Sequence, residues 1–177
     1  MSIFKVIRRI IALCLFFPPI GNASENKQIT EEYFCITLPV TWRQTSKPPE
    51  YYPAYYQYLS KDKNESLSVS IFPFKSKIAE SEQLQMLDEF LDTRIQVEKK
   101  IPNSSTLKIS SIVKQKQKNA HVALYTGYQP ETNRRFRSFI IADNSLIAVF
   151  YYEALDMSEK LFTPKMQKII GRVSLKS

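Results

Sequence analysis

Leu146-Ile147-Ala148-Val149-Phe150-Tyr151-Tyr152 places an aliphatic or aromatic side chain at seven consecutive positions. Successive side chains of a strand point to opposite faces, so a run of this kind needs cover on both. It reads as a central strand with other layers on each side. The sequence in front of it supplies the neighbouring strands: Phe136 to Asp143, His121 to Tyr128 and Leu107 to Gln117. The turns between these segments are short, around Asp143-Asn144, Pro130 to Asn133 and Lys118-Asn119, which implies an antiparallel meander and not βαβ crossovers. Behind it, Thr163 can cap a helix, Pro164 suits the first helical position, and Met166, Ile169, Ile170 and Val173 form an apolar stripe that would cover one face of the sheet.

Further upstream the apolar period changes to about 3.6. Leu84, Leu87, Leu91 and Ile95, with Phe90 beside them, predict a helix over about Ser81 to Lys100. Its ends agree: Ser81 can cap, Glu82 suits the positive end of the dipole, Lys99 and Lys100 suit the negative end, and Pro102 stops it. Before that helix, Tyr56 to Ser60 and Leu67-Val69-Ile71 read as a hairpin turning at Asp62-Lys63-Asn64, and Ser66, Ser68 and Ser70 mark a thinly covered side. Phe34, Ile36 and Leu38 alternate ahead of Pro39 as the first strand. The fold class is therefore α+β, a mostly antiparallel sheet of six or seven strands packed by helices.

Residues 1–23 read as a secretory signal peptide. Lys5, Arg8 and Arg9 form the charged start, Ile10 to Phe17 is the apolar run, Pro18-Pro19 breaks it, and Gly21-Asn22-Ala23 offers a cleavage site. The run is too short to cross a bilayer, and Leu13 before Cys14 does not fit a lipidation site. Residues 24–177 are then expected to form a single exported domain, with a periplasmic location. That portion carries 22 of the 25 Lys and Arg and all 17 Asp and Glu, a net charge of +5. This is too little clustered charge for nucleic-acid binding. Cys35 is left as its one cysteine, so no internal disulfide can form, and its strand position predicts a buried inert thiol.

Phe34-x-Ile36-x-Leu38-Pro39-x-x-Trp42 resembles the opening of the PsbP-like proteins and their bacterial DcrB-like relatives, although Thr41 stands where those proteins usually have glycine. The order of elements that follows is similar to that family over residues 30–175. The resemblance implies an α/β/α sandwich, no cofactor, and a non-enzymatic role in assembly, chaperoning or binding.

The residues themselves offer little for catalysis. His121 is the one histidine, which reads as structural or as a surface group. Only Gly127 and Gly171 follow residue 23, so no glycine-dependent phosphate cradle and no G-x-S-x-G elbow is present. Asp88, Glu89 and Asp92 read as a solvated helix face, and Asp62-x-Asn64-Glu65 as a hairpin turn. No catalytic or metal-ligating set and no cofactor is expected.

Two features stand out as candidate partner-binding surfaces. Tyr51-Tyr52-Pro53-Ala54-Tyr55-Tyr56-Gln57-Tyr58 holds five of the ten tyrosines behind Lys47-Pro48-Pro49-Glu50. Tyrosine gives large contact area at low entropic cost, and Tyr51, Tyr52 and Tyr55 are the expected exposed members. The alternative is a hydrophobic cap over the sheet end. The other feature is basic: Lys114, Lys116 and Lys118 alternate on one strand face, and Arg134, Arg135 and Arg137 follow the Pro130 turn. These charges either protect an edge strand or meet an acidic partner or anionic membrane surface. The functional expectation is a periplasmic interaction protein, most narrowly an immunity protein against a secreted effector. A DcrB-like envelope assembly or stress factor is the alternative, and a small-ligand carrier or enzyme with a pocket between sheet and helix is a further one.

Overall fold

The computed structural model describes residues 26–46, 54–101, 106–110, 112–117 and 119–176. The strands are β1 (Asn26–Thr30), β2 (Phe34–Pro39), β3 (Arg43–Ser46), β4 (Ala54–Leu59), β5 (Glu65–Pro73), β6 (Lys108–Ile109), β7 (Val113–Gln117), β8 (Ala120–Gln129), β9 (Arg134–Ala142), β10 (Leu146–Leu155) and β11 (Val173–Leu175). The helices are α1 (Glu80–Lys100) and α2 (Glu159–Ile170). The chain divides into two compact units, one drawn from Met1–Trp42 and Thr163–Ser177, the other from Arg43–Phe162, with the division falling inside α2. The proposed signal peptide lies outside the described residues, and no helix among those residues is long and apolar enough to cross a membrane.

In the first unit β1, β2 and β11 form a three-stranded antiparallel sheet with β2 at its centre. Phe34, Ile36 and Leu38 are fully buried along one face of β2, as their alternation predicts. Met166 and Ile169 of α2 are buried too, and so is Trp42, whose amide donates to the Pro39 carbonyl. Cys35 points the other way. It is half-buried and not fully enclosed, with its thiol 3.7 Å from the Thr30 hydroxyl.

The second unit is built on an eight-stranded antiparallel sheet in the order β3-β4-β5-β10-β9-β8-β6, with β7 also paired to β8. The strand with no polar side is its middle member, buried continuously from Leu146 to Tyr152. Helix α1 packs over β8 and β9, and Leu87 and Leu91 close a cluster with Ala123, Tyr125, Phe136, Ile140, Ala142, Ile147, Val149 and Tyr151. Each of those two leucines contributes about 1.5 to 3 kcal/mol by leaving water. Tyr125 meets Phe136 edge-on and Phe136 stacks on Tyr151 at 5.3 Å. On the opposite face of β10, Tyr152 stacks on Phe162 and its hydroxyl donates to buried Glu65 at 2.6 Å.

Several expectations are corrected. The described residues hold eleven strands in two sheets instead of six or seven in one, because β1 and β3 pair through backbone groups without an apolar alternation to announce them and the alternation of β11 spans only three residues. The segment predicted as one strand from Leu107 to Gln117 is two, β6 and β7, which pair with different stretches of β8. Helix α1 starts one residue early, capped by Ala79, whose amide donates to Glu82, so Ser81 is inside the helix and not its cap. Leu84 is 43% exposed, and the buried stripe runs instead through Gln83, Leu87, Leu91 and Glu98. Helix α2 begins at Glu159, which puts Thr163 and Pro164 inside it, and Val173 starts β11 rather than ending the helical stripe. The hairpin at 62–64 is found as read, with Lys63 at a φ of 61° and the Ser60 amide donating to the Glu65 carbonyl.

Candidate functional site

Two polar assemblies lie on the α1 side of the second unit. The first is set at the C-terminal half of the helix. Arg134, at the start of β9, sends Nη1 and Nη2 to the same oxygen of Glu98 at 3.1 and 3.2 Å, and its Nε to Glu153 at 2.5 Å. It also donates to the Tyr151 hydroxyl and lies 4.7 Å over the Phe136 ring. Arg94, one turn before Glu98, pairs with it at 3.3 Å and lies over the Tyr151 ring at 4.9 Å. Burial works against the Arg134 charge, but Tyr151, Glu153 and Glu98 outweigh it and hold the guanidinium above its usual value. Burial also pushes the Tyr151 hydroxyl far up, with the Glu98 charge adding to it. Every charged member faces an opposite charge, so the assembly clamps the end of α1 to β9 and β10.

The second assembly is a polar cleft of about 250 Å³ where the first turn of α1 meets β7, the start of β8 and the β9–β10 turn. Glu80 is central to it. Its Oε1 accepts from Lys116 Nζ at 2.6 Å and lies 3.2 Å from His121 Nε2. The Lys116 ammonium, through hydrogen bond and charge, holds the Glu80 carboxyl below its ordinary value, with His121 assisting. Gln83, Asn119 and Asn144 add carboxamides to the wall, and Ile78 is its apolar member. His121 and Gln83 are each only 6% exposed, whereas Lys116 and Glu80 stand at the rim.

The residues singled out from sequence do not form one patch. Tyr51, Tyr52 and Lys118 lie outside the described residues. Tyr55 is half-buried, its hydroxyl donating to Ser68 at 3.2 Å. It shares a face of β4 and β5 with Gln57, Ser68 and Ser70, its neighbours in register. Arg134 is an interior clamp. Arg135 projects from the opposite face, stacked 4.0 Å over Tyr128, donating to the Met157 carbonyl and reaching Glu159 at 3.9 Å. Arg137 is on that face too, half-buried, and burial lowers its pKa. The three arginines therefore do not present a common surface. Lys114 and Lys116 are paired with Asp88 and Glu80 of α1, so the basic strip on β7 holds the helix. His121 is buried, and its partner Glu80 lies 41 residues away, a separation that no local motif reveals.

No protein-family profile matches the sequence, and no curated protein matches it either. Solved structures do. CyanoP, the PsbP of the cyanobacterium Synechocystis sp. PCC 6803, superposes with a TM-score of 0.61 at 12% identity, covering 93% of this chain and 99% of that one. LpqN, a protein involved in cell envelope biogenesis of Mycobacterium tuberculosis, superposes with a TM-score of 0.56 at 11% identity, covering 100% of this chain and 98% of that one. The chain has a PsbP-like α+β fold.

Proposed function

We propose that the protein is a non-enzymatic interaction protein of the bacterial cell envelope, exported to the periplasm, that binds a protein partner through the tyrosine-rich segment at residues 51–55 and the sheet face it leads into. The observation that carries this reading is the face of β4 and β5. Tyr55, Gln57, Ser66, Ser68 and Ser70 are all half-buried there, while α1 packs over β8 and β9 and meets β5 at Phe72 through Phe90. Small serines beside a tethered tyrosine leave a flat amphipathic shelf, the kind of surface on which aromatic side chains supply binding energy. The ionisable groups of the described clamp and rim are already paired with one another, which suits a rigid platform better than a reacting centre.

The likeness to LpqN, whose role is in cell envelope biogenesis, and the signal-like residues 1–23 support an envelope location. The narrowest form of the reading is an immunity protein that neutralises an envelope-targeting effector, and the alternative is a DcrB-like assembly or stress factor. Affinity capture of the protein from envelope extract, read by mass spectrometry, is the test. A single stoichiometric partner supports the reading, a toxin encoded next to this gene narrows it to immunity, and an absence of any specific partner overturns it.

A further inference from the structure

We propose that the cleft at the start of α1 binds a small carboxylate that also carries amide or hydroxyl groups, and that Glu80 holds the carboxylate position as a tethered competitor until such a ligand displaces it. Two donors converge on one oxygen of Glu80, Lys116 Nζ at 2.6 Å and His121 Nε2 at 3.2 Å. The imidazole is fixed by burial, so this donor geometry is built before any ligand arrives. The Glu80 side chain, in contrast, is 56% exposed, and an ion pair at that exposure contributes little and exchanges easily. An incoming carboxylate would find the same two donors.

The rest of the wall sets what else the ligand must carry. Gln83 also lines the cleft and, as a residue, is buried to the same degree as His121. Its carboxamide is both donor and acceptor, so it suits a ligand that carries both kinds of group. Asn119 and Asn144 present further carboxamides, each both donor and acceptor, which matches amide or hydroxyl groups and not a hydrocarbon. The volume of about 250 Å³ is at the low end for ligand sites, so the ligand is small. This site is separate from the β4–β5 face, and its test is independent of partner capture.

The experiment is an NMR titration of the purified protein with N-acetylalanine (carboxylate and amide), glucuronate (carboxylate and hydroxyls) and N-acetylalanine methylamide (no carboxylate). Saturable shifts at the His121 ring and the Gln83, Asn119 and Asn144 side-chain amides are expected with at least one of the two carboxylates and none with the neutral compound. Glu80→Gln should tighten carboxylate binding about threefold or more by removing the competitor, and Lys116→Gln should weaken it about tenfold. Should Lys116→Gln lose its fold, Lys116→Met and the Glu80→Gln comparison carry the test. Equal binding of the neutral compound, no saturable response at about 50 mM of either carboxylate, or an affinity unchanged in Glu80→Gln overturns the proposal.

Discussion

Arg134 straddles a single carboxylate oxygen of Glu98, with Nη1 at 3.1 Å and Nη2 at 3.2 Å, and the pair joins the last turns of α1 to the first residue of β9. Glu98 is 2% exposed and Arg134 12%, so a partner lost by either is poorly replaced by water. Arg134→Met leaves Glu153 without its cation and buried Glu98 with Arg94 alone, and should cost about 3 to 5 kcal/mol. Glu98→Gln keeps Glu153 as a partner for Arg134 and should cost less. Urea unfolding of both variants checks the order. A smaller loss for Arg134→Met than for Glu98→Gln would show that the clamp does not work this way.

Gly127 of β8 is directly opposite Phe136 of β9, and a Cβ built at Gly127 would sit 2.0 Å from the Phe136 ring. The ring has no room to retreat, since Tyr125 and Tyr151 pack on it and Arg134 lies over it. Gly127→Ala should destabilise by about 1 to 3 kcal/mol, as overpacking of a filled core does. Pairing it with Phe136→Leu should recover part of that loss. If the double variant is as unstable as the sum of the two single ones, the contact is not the cause.

These two contacts also show what the sequence could and could not reveal. The centre of the sheet was legible because Leu146 to Tyr152 must be covered on both faces whatever the partners are. Leu87 and Leu91 were legible by spacing, but Gln83 and Glu98 on the same buried stripe were not, since a polar residue enters a core only when a distant group answers it. Glu98 is answered by Arg134, 36 positions away, and Glu80 by His121, 41 away. Arg134 next to Arg135 read as one basic cluster, yet adjacent strand residues face opposite ways and the sheet separates them. The edge strands escaped for a different reason: Arg43 to Ser46 pairs with β4 by its backbone, and its side chains are polar, with Arg43, Gln44 and Thr45 exposed.

Alkaline stability follows from Tyr125, Tyr151 and Tyr152. Burial raises each hydroxyl above its ordinary value of 10.0, Glu98 adding to the shift at Tyr151 and Glu65 at Tyr152. In the unfolded chain all three ionise near pH 10, while the fold keeps them neutral. Their contribution is therefore complete below about pH 10 and is lost as the pH climbs toward the folded values, by about 1.4 kcal/mol per pH unit for each tyrosine. Urea unfolding between about pH 8 and pH 11 should show a plateau and then a steep decline, shallower in Tyr151→Phe. A stability curve that stays level through that range would contradict the burial of these hydroxyls.

Trp42 follows the strand-ending Pro39 and is 2% exposed, its amide fixed to the Pro39 carbonyl at 2.9 Å. Truncating a ring this well covered removes its transfer energy and leaves a cavity, so Trp42→Ala should cost about 3 to 5 kcal/mol. Trp42→Phe should cost less because it leaves a smaller void. Thermal unfolding of the two variants is sufficient, and wild-type behaviour of Trp42→Ala would separate the tryptophan from the core.

The tyrosine segment is tested by separating binding from folding. Tyr55 is anchored, with its hydroxyl on Ser68, so its ring lies along the shelf and Tyr55→Phe removes the tether without removing the contact area. If residues 51, 52 and 55 recognise a partner, Tyr51→Ala, Tyr52→Ala and Tyr55→Ala together should abolish capture, since interface aromatics contribute about 2 kcal/mol or more each. The same triple variant should lower stability only modestly, because a half-buried ring at Tyr55 carries less than a core side chain. Tyr55→Phe should bind almost normally. A hydrophobic cap predicts the opposite pattern, a large stability loss with capture failing only as the protein unfolds. Charge reversal of Arg135 makes the companion measurement: its guanidinium is held by Tyr128 and the Met157 carbonyl, so a local loss of packing is expected and no change in the salt dependence of association. A strong salt-dependent slowing in that variant would return the arginine turn to the binding surface.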